Sequence, residues 1–154
     1  MRITRYTDYS LRVLMYVALK KEETTTIREI AESYDISKNH LMKVVQELNN
    51  KNYLTATRGK NGGLRLSKQA EEINLGALIR DIEQDFALVE CFNNNKDDNG
   101  HCIIAPACHL RKILAEALNA FLHVLNKYTL ADLLPQAQNS ELLQLLNIHS
   151  SART

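Results

Sequence analysis

"SKNHLMKVVQELNNKNYLTATRGKNGGLRLS" spans residues 37–67, and its reading decides the fold. Leu41, Val44, Val45 and Leu48 recur at the spacing of one buried helix face. Ser37 stands ahead of them as an N-cap, so a helix is expected from 37 to about 49. The pattern then changes. Residues 53–57 and 64–67 read as extended and flank Arg58-Gly59-Lys60-Asn61-Gly62-Gly63. Asn61-Gly62-Gly63 tolerates the positive φ of a tight hairpin turn. A helix followed by a basic-tipped hairpin is half of a winged helix.

The other half lies just upstream. Thr26 and Glu29 have the spacing of a capping box and open a helix over about 26–34, with Ile27, Ile30 and Ala31 inward. Asp35-Ile36 leaves a connection short enough for a helix-turn-helix, whose second helix can enter a major groove. Residues 4–20 form a further amphipathic helix carrying Tyr6, Tyr9, Leu14, Tyr16 and Val17.

Downstream, Asn74 caps a helix of about 75–84. Pro106 suits a first helical turn, so a long helix is expected from about Ala107 to Tyr128. Its apolar positions 110, 114, 117, 118, 121, 125 and 128 form one stripe, widened by 113, 120 and 124. That is broader than one neighbouring helix covers, and we read it as the seam of a homodimer. Short helices follow on either side of Pro135. The fold class is therefore mainly α: a winged helix-turn-helix with a two-stranded wing plus a long C-terminal dimerisation helix. The organisation reads as 1–84 DNA-binding domain, 85–106 cysteine loop, 107–147 dimerisation helix and C-terminal helices, and 148–154 flexible tail.

The charge is divided. Residues 1–68 carry 13 Lys/Arg against 7 Asp/Glu, and residues 69–154 carry 6 against 11. A basic first half suits a polyanion such as double-stranded DNA. In the expected groove helix, Ser37, Lys38, Asn39, His40 and Lys43 lie toward the exposed N-terminal side. Asn can read adenine edges, and Lys can meet guanine or phosphate. In the wing, Arg58, Lys60, Asn61 and Arg65 surround a glycine-rich tip able to approach the minor groove. No apolar run reaches the roughly 18–20 residues of a membrane span, and the N-terminal residues lack a signal h-region. A cytoplasmic protein is expected.

All three cysteines fall in "CFNNNKDDNGHCIIAPACHL", residues 91–110, at Cys91, Cys102 and Cys108. Three is an odd count for disulfides and one short of a closed tetrahedral site. Thiolates select zinc, copper(I) or iron–sulfur clusters, and wide spacing favours the larger group. Incidental thiols, or a redox pair with one spare, remain open. A thiol nucleophile using Cys102 and His101 is disfavoured because adjacent side chains rarely face each other, so an enzyme is not expected.

"TDYSLRVLMYVA" at 7–18, the 37–66 segment and the C-x10-C-x5-C loop together resemble the winged-helix iron–sulfur transcriptional regulators. The resemblance covers about residues 1–135. It is strongest to a branch of nitric-oxide-sensing repressors, through "RGKNGG" and "IIAPAC". One branch of that family uses a histidine three residues past the last cysteine, where this chain has Arg111. By resemblance to the other branch, Cys91, Cys102 and Cys108 hold a [4Fe-4S] cluster, with [2Fe-2S] the alternative. Asp8 of the partner subunit supplies the fourth ligand; His101 and His109 are the substitutes. Asp8 and Arg12 are four residues apart on one helix face, either as an ordinary surface pair or with Arg12 taking the carboxylate when a cluster is lost. The expectation is a homodimeric repressor of palindromic operators that releases DNA when its cluster reacts with nitric oxide. The alternative is a thiol-redox or zinc-dependent winged-helix regulator without a cluster.

Overall fold

The computed structural model describes residues 2–21, 23–57, 59, 62–92, 102–135 and 141–148. Its first helix, α1 (Arg5–Leu19), is capped by Thr4, whose hydroxyl accepts from the Thr7 amide. Val13, Leu14 and Val17 of α1 are fully or nearly fully buried. They form the centre onto which the other elements pack.

Helix α2 (Ile27–Tyr34) opens with the expected capping box: Glu29 accepts from the Thr26 amide at 2.6 Å, and Thr26 accepts from the Glu29 amide at 3.2 Å. Asp35 ends it in the left-handed region, φ 51°, which Asp tolerates better than most residues. Helix α3 (Lys38–Asn50) buries Leu41, Val44, Val45 and Leu48, the face read from their spacing. Ser37 holds the N-cap position, but its side chain makes no capping bond.

The wing consists of β1 (Leu54–Thr57) and β2 (Gly63–Leu66), antiparallel with Leu54 opposite Leu66 and Thr57 opposite Gly63. A bridge from Thr25 to Leu64 extends this sheet toward α2, with amide–carbonyl bonds of 3.2 and 2.7 Å. Gly63 permits it. A Cβ there would lie 2.7 Å from Thr24 Cβ and 3.0 Å from the Thr25 carbonyl oxygen.

Helix α4 (Leu75–Ile82) is N-capped by Asn74 and buries Leu75, Leu78, Ile79 and Ile82. The long helix α5 runs His109–Leu125, starting later and ending earlier than expected. Pro106 belongs instead to a short 3₁₀ turn, Ala105–Ala107, and Cys108 adopts an extended conformation as the N-cap. The extended Cys108, φ -76° and ψ 110°, separates that turn from the helix and sets the later start. A 3₁₀ turn at Leu130–Leu133 and α6 (Glu141–Leu145) follow. Leu146 and Ile148 are buried in the core, so packing reaches residue 148, the first residue assigned to the tail; 149–154 lie outside the described residues.

Candidate nucleic-acid interface and cysteine loop

Alternation of buried and exposed positions makes α3 a two-faced helix. Ser37, Lys38, Asn39, His40 and Lys43 are all exposed, as their type requires. Met42 and Gln46 share that outer surface, Met42 half exposed. The candidates read from the sequence concentrate toward the helix N-terminal side and leave them out, although Asn39, Met42, Lys43 and Gln46 have the spacing of one helix stripe. The helix is held from behind. The Tyr6 hydroxyl on α1 donates to the Lys43 carbonyl at 3.1 Å, and partial burial, then Glu47, raises the phenol above its ordinary pKa. At the far end, Asn49 Oδ1 accepts from the Ala56 amide at 3.1 Å and aligns α3 with the wing.

On the wing, Arg65 is exposed in β2 opposite Thr55. Thr57 Oγ1 binds both the amide and carbonyl of Gly63, at 3.2 and 3.3 Å, and closes the base of the hairpin. Arg58, Lys60 and Asn61 lie outside the described residues.

The cysteine region begins where α4 ends. Cys91 is half-buried in a 3₁₀ turn, Glu90–Phe92, Cys102 is exposed, and Cys108 is half-buried at the N-cap of α5. All three are free thiols. His101 lies outside the described residues, and His109 is exposed as the first residue of α5. Among the described residues, no three His, Cys, Asp or Glu side chains gather into a set able to hold a metal.

Asp8 stands on α1, half exposed, in a two-point ion pair with Arg12: Oδ2 to Nη2 at 2.9 Å and Oδ1 to Nε at 3.1 Å. The same guanidinium lies 6.0 Å from the Tyr9 ring centre and 5.8 Å from that of Tyr34. Burial pushes the Tyr34 phenol up to about 12, against the opposing charge of Arg12. One turn away is a feature that periodicity did not reveal. Glu83 is buried at the end of α4, and its Oε2 accepts from the Thr4 amide, Thr4 Oγ1 and Thr7 Oγ1 at 3.0, 3.0 and 2.8 Å. A buried carboxylate needs such donors. The bonds tie the first turn of α1, next to Asp8, to the chain leaving for the cysteine loop.

A helix-turn-helix with an exposed cationic second helix and a braced wing defines the class: a winged-helix transcriptional regulator. The particular family follows from comparison. Residues 3–136 match the Rrf2 family model, described as iron-dependent transcriptional regulator, and the chain belongs to that family. It is 53% identical over 135 residues to the HTH-type transcriptional regulator NsrR of Bacillus licheniformis, covering 87% of this chain and 92% of that protein. Identity to NsrR of Bacillus subtilis is 47% over 149 residues, covering 96% and 99%. Among solved structures, CymR, the global cysteine regulator of B. subtilis, superposes with a TM-score of 0.68 at 27% identity, covering 86% of this chain and 95% of that one. These relatives are regulators of transcription, not enzymes. Among the described residues, no helix is long and apolar enough to cross a membrane.

Proposed function

We propose that two copies of this chain form a cytoplasmic repressor that binds a palindromic operator and senses nitric oxide through an iron–sulfur cluster. In this reading residues 1–84 are the DNA-binding head. Ser37, Lys38, Asn39, His40 and Lys43 face the major groove; Arg58, Lys60, Asn61 and Arg65 of the wing face the backbone and minor groove. The observation that carries the reading is the position of the cysteines. Cys108 holds the N-cap position of α5, and that helix exposes Leu110, Ile113 and Val124 to solvent, with Tyr128 exposed just beyond its end. A ligand at one end of an uncovered apolar helix couples chemistry to assembly.

The donor set fits a soft metal group in kind. It offers three thiols free of disulfides, one of them at the N-terminus of a helix. Cys91, Cys102 and Cys108 would hold the cluster, [4Fe-4S] by resemblance and [2Fe-2S] as the alternative, with Asp8 of the partner subunit as fourth ligand. Bound there, it would supply iron able to react with small diatomics; nitric oxide as the signal is what the resemblance to nitric-oxide-sensing repressors implies. Within this chain the Asp8 carboxylate has a second berth, on Arg12. Carboxylate is the hardest donor of the set and the most easily given up. Were the cluster lost, Arg12 would hold the Asp8 carboxylate within its own chain, and the head would no longer be tied to the neighbouring subunit on DNA.

The test is anaerobic purification with a visible spectrum, iron and sulfide assays, and gel shifts on a selected palindrome. Brown protein should bind and lose binding on nitric oxide treatment; Cys102→Ala should lose the colour but stay dimeric. Unchanged DNA binding after nitric oxide would overturn the switch. The exposed thiol of Cys102 supports the second reading, a thiol-redox or zinc-dependent regulator. It predicts colourless protein in which peroxide produces a disulfide visible by mass spectrometry.

A further inference from the structure

We infer that the joint between α4 and the C-terminal end of α5, centred on Gly76 and Asn126, sets the separation of the two DNA-binding heads and thereby selects the half-site spacing of the operator. The inference rests on the dimeric, DNA-binding reading above and adds the residues that determine its spacing specificity.

Helix α5 is fastened to its own head at this end. Asn74 grips it while capping α4: Oδ1 accepts from the Ala77 amide at 3.0 Å, and Nδ2 donates to the Asn126 carbonyl at 2.7 Å and the Tyr128 carbonyl at 3.3 Å. Arg80 Nη2 donates to Asn126 Oδ1 at 2.7 Å, placing a cation at the negative end of the helix. The Leu75 amide donates to the Tyr128 carbonyl at 2.9 Å, and the Leu130 amide to the Ile73 carbonyl at 2.8 Å. The two helices come this close because position 76 has no side chain. A Cβ on Gly76 would stand 2.1 Å from Asn126 Oδ1 and 2.9 Å from the Asn126 backbone nitrogen. The amide oxygen can rotate away, but the backbone nitrogen cannot, so a larger residue must part the helices.

At the other end, Cys108 carries the proposed ligand, and Leu110 and Ile113, exposed within this chain, form the part of the proposed seam farthest from the joint. The 17 residues of α5 span roughly 25 Å at about 1.5 Å per residue. Over that length, a tilt of about 8° at the joint shifts the head by about 3.4 Å, one base-pair step. The joint therefore has the leverage to choose among spacers.

Full-length protein, purified anaerobically, is presented with duplexes bearing inverted half-sites selected by the wild type, their central spacer varied over one helical turn. Wild type should prefer its best spacer over neighbouring ones by about tenfold. Asn126→Ala and Gly76→Ala should flatten that preference below about threefold or move its optimum, with single half-site affinity within about twofold of wild type. Asn126→Ala adds no bulk and keeps the test decisive if Gly76→Ala does not fold. Folded, dimeric variants that retain the wild-type spacer profile overturn the inference. Wild-type protein with no preference for inverted repeats overturns the dimeric reading instead.

Discussion

Tyr53 shows how a single residue couples the wing to the rest of the head. It is buried beside β1, its hydroxyl donates to Asp81 on α4, and the Lys68 ammonium lies 5.5 Å from its ring centre. Burial first, then the Asp81 bond, raises its pKa above the ordinary tyrosine value. A pKa raised on folding contributes stability that is complete below the unfolded value, near 10, and is lost as pH rises through the folded value. Tyr53→Phe should therefore cost about 0.5–1.5 kcal/mol at neutral pH, through loss of the hydrogen bond to Asp81, whose carboxylate is exposed and is taken up by water. The gap to wild type should narrow above about pH 10, as measured by urea unfolding across that range. A gap independent of pH would show that the phenol is not the cause. At this scale the sequence was partly legible. The Asp8–Arg12 pair follows from helix spacing, whereas Glu83 finds Thr4 and Thr7 across 79 and 76 residues, which no local pattern encodes.

Helix α3 and the wing were legible as elements because their signals are local: apolar spacing within the helix and turn chemistry at its end. The outer cations contribute little to packing, so Lys43→Ala and Arg65→Ala should each change stability by less than about 0.5 kcal/mol. If each meets one phosphate, each substitution should reduce the slope of log affinity against log salt by about 0.9. Fluorescence anisotropy on operator DNA at several salt concentrations measures it; an unchanged slope removes that residue from the contact. The start of α5 was less legible. Pro106 is compatible with a first helical turn, and only the observed 3₁₀ turn and extended Cys108 show that the helix begins after the last cysteine.

For the molecule as a whole, α5 is the element that decides how copies meet in the proposed dimer. The sequence stripe divides in the structure: Leu114, Leu118, Phe121 and Leu125 are half-buried, while Leu110, Ile113, Val124 and Tyr128 stay exposed. On the proposed dimer, Ile113→Asp places a charge in the seam. Sedimentation velocity should show monomer, and operator affinity should fall more than about tenfold through loss of the second head. A variant that stays dimeric would place the seam elsewhere. By itself the sequence determined the helices, the hairpin and the class of protein, because apolar period, capping and turn preferences act between residues a few positions apart. The tertiary structure alone decided which face of α5 is left uncovered, how Glu83 ties α1 to the exit of α4, and how closely Gly76 lets α4 approach Asn126. Those features depend on the distances at which finished elements come to rest. The assembled core sets such distances, and no short stretch of chain specifies them.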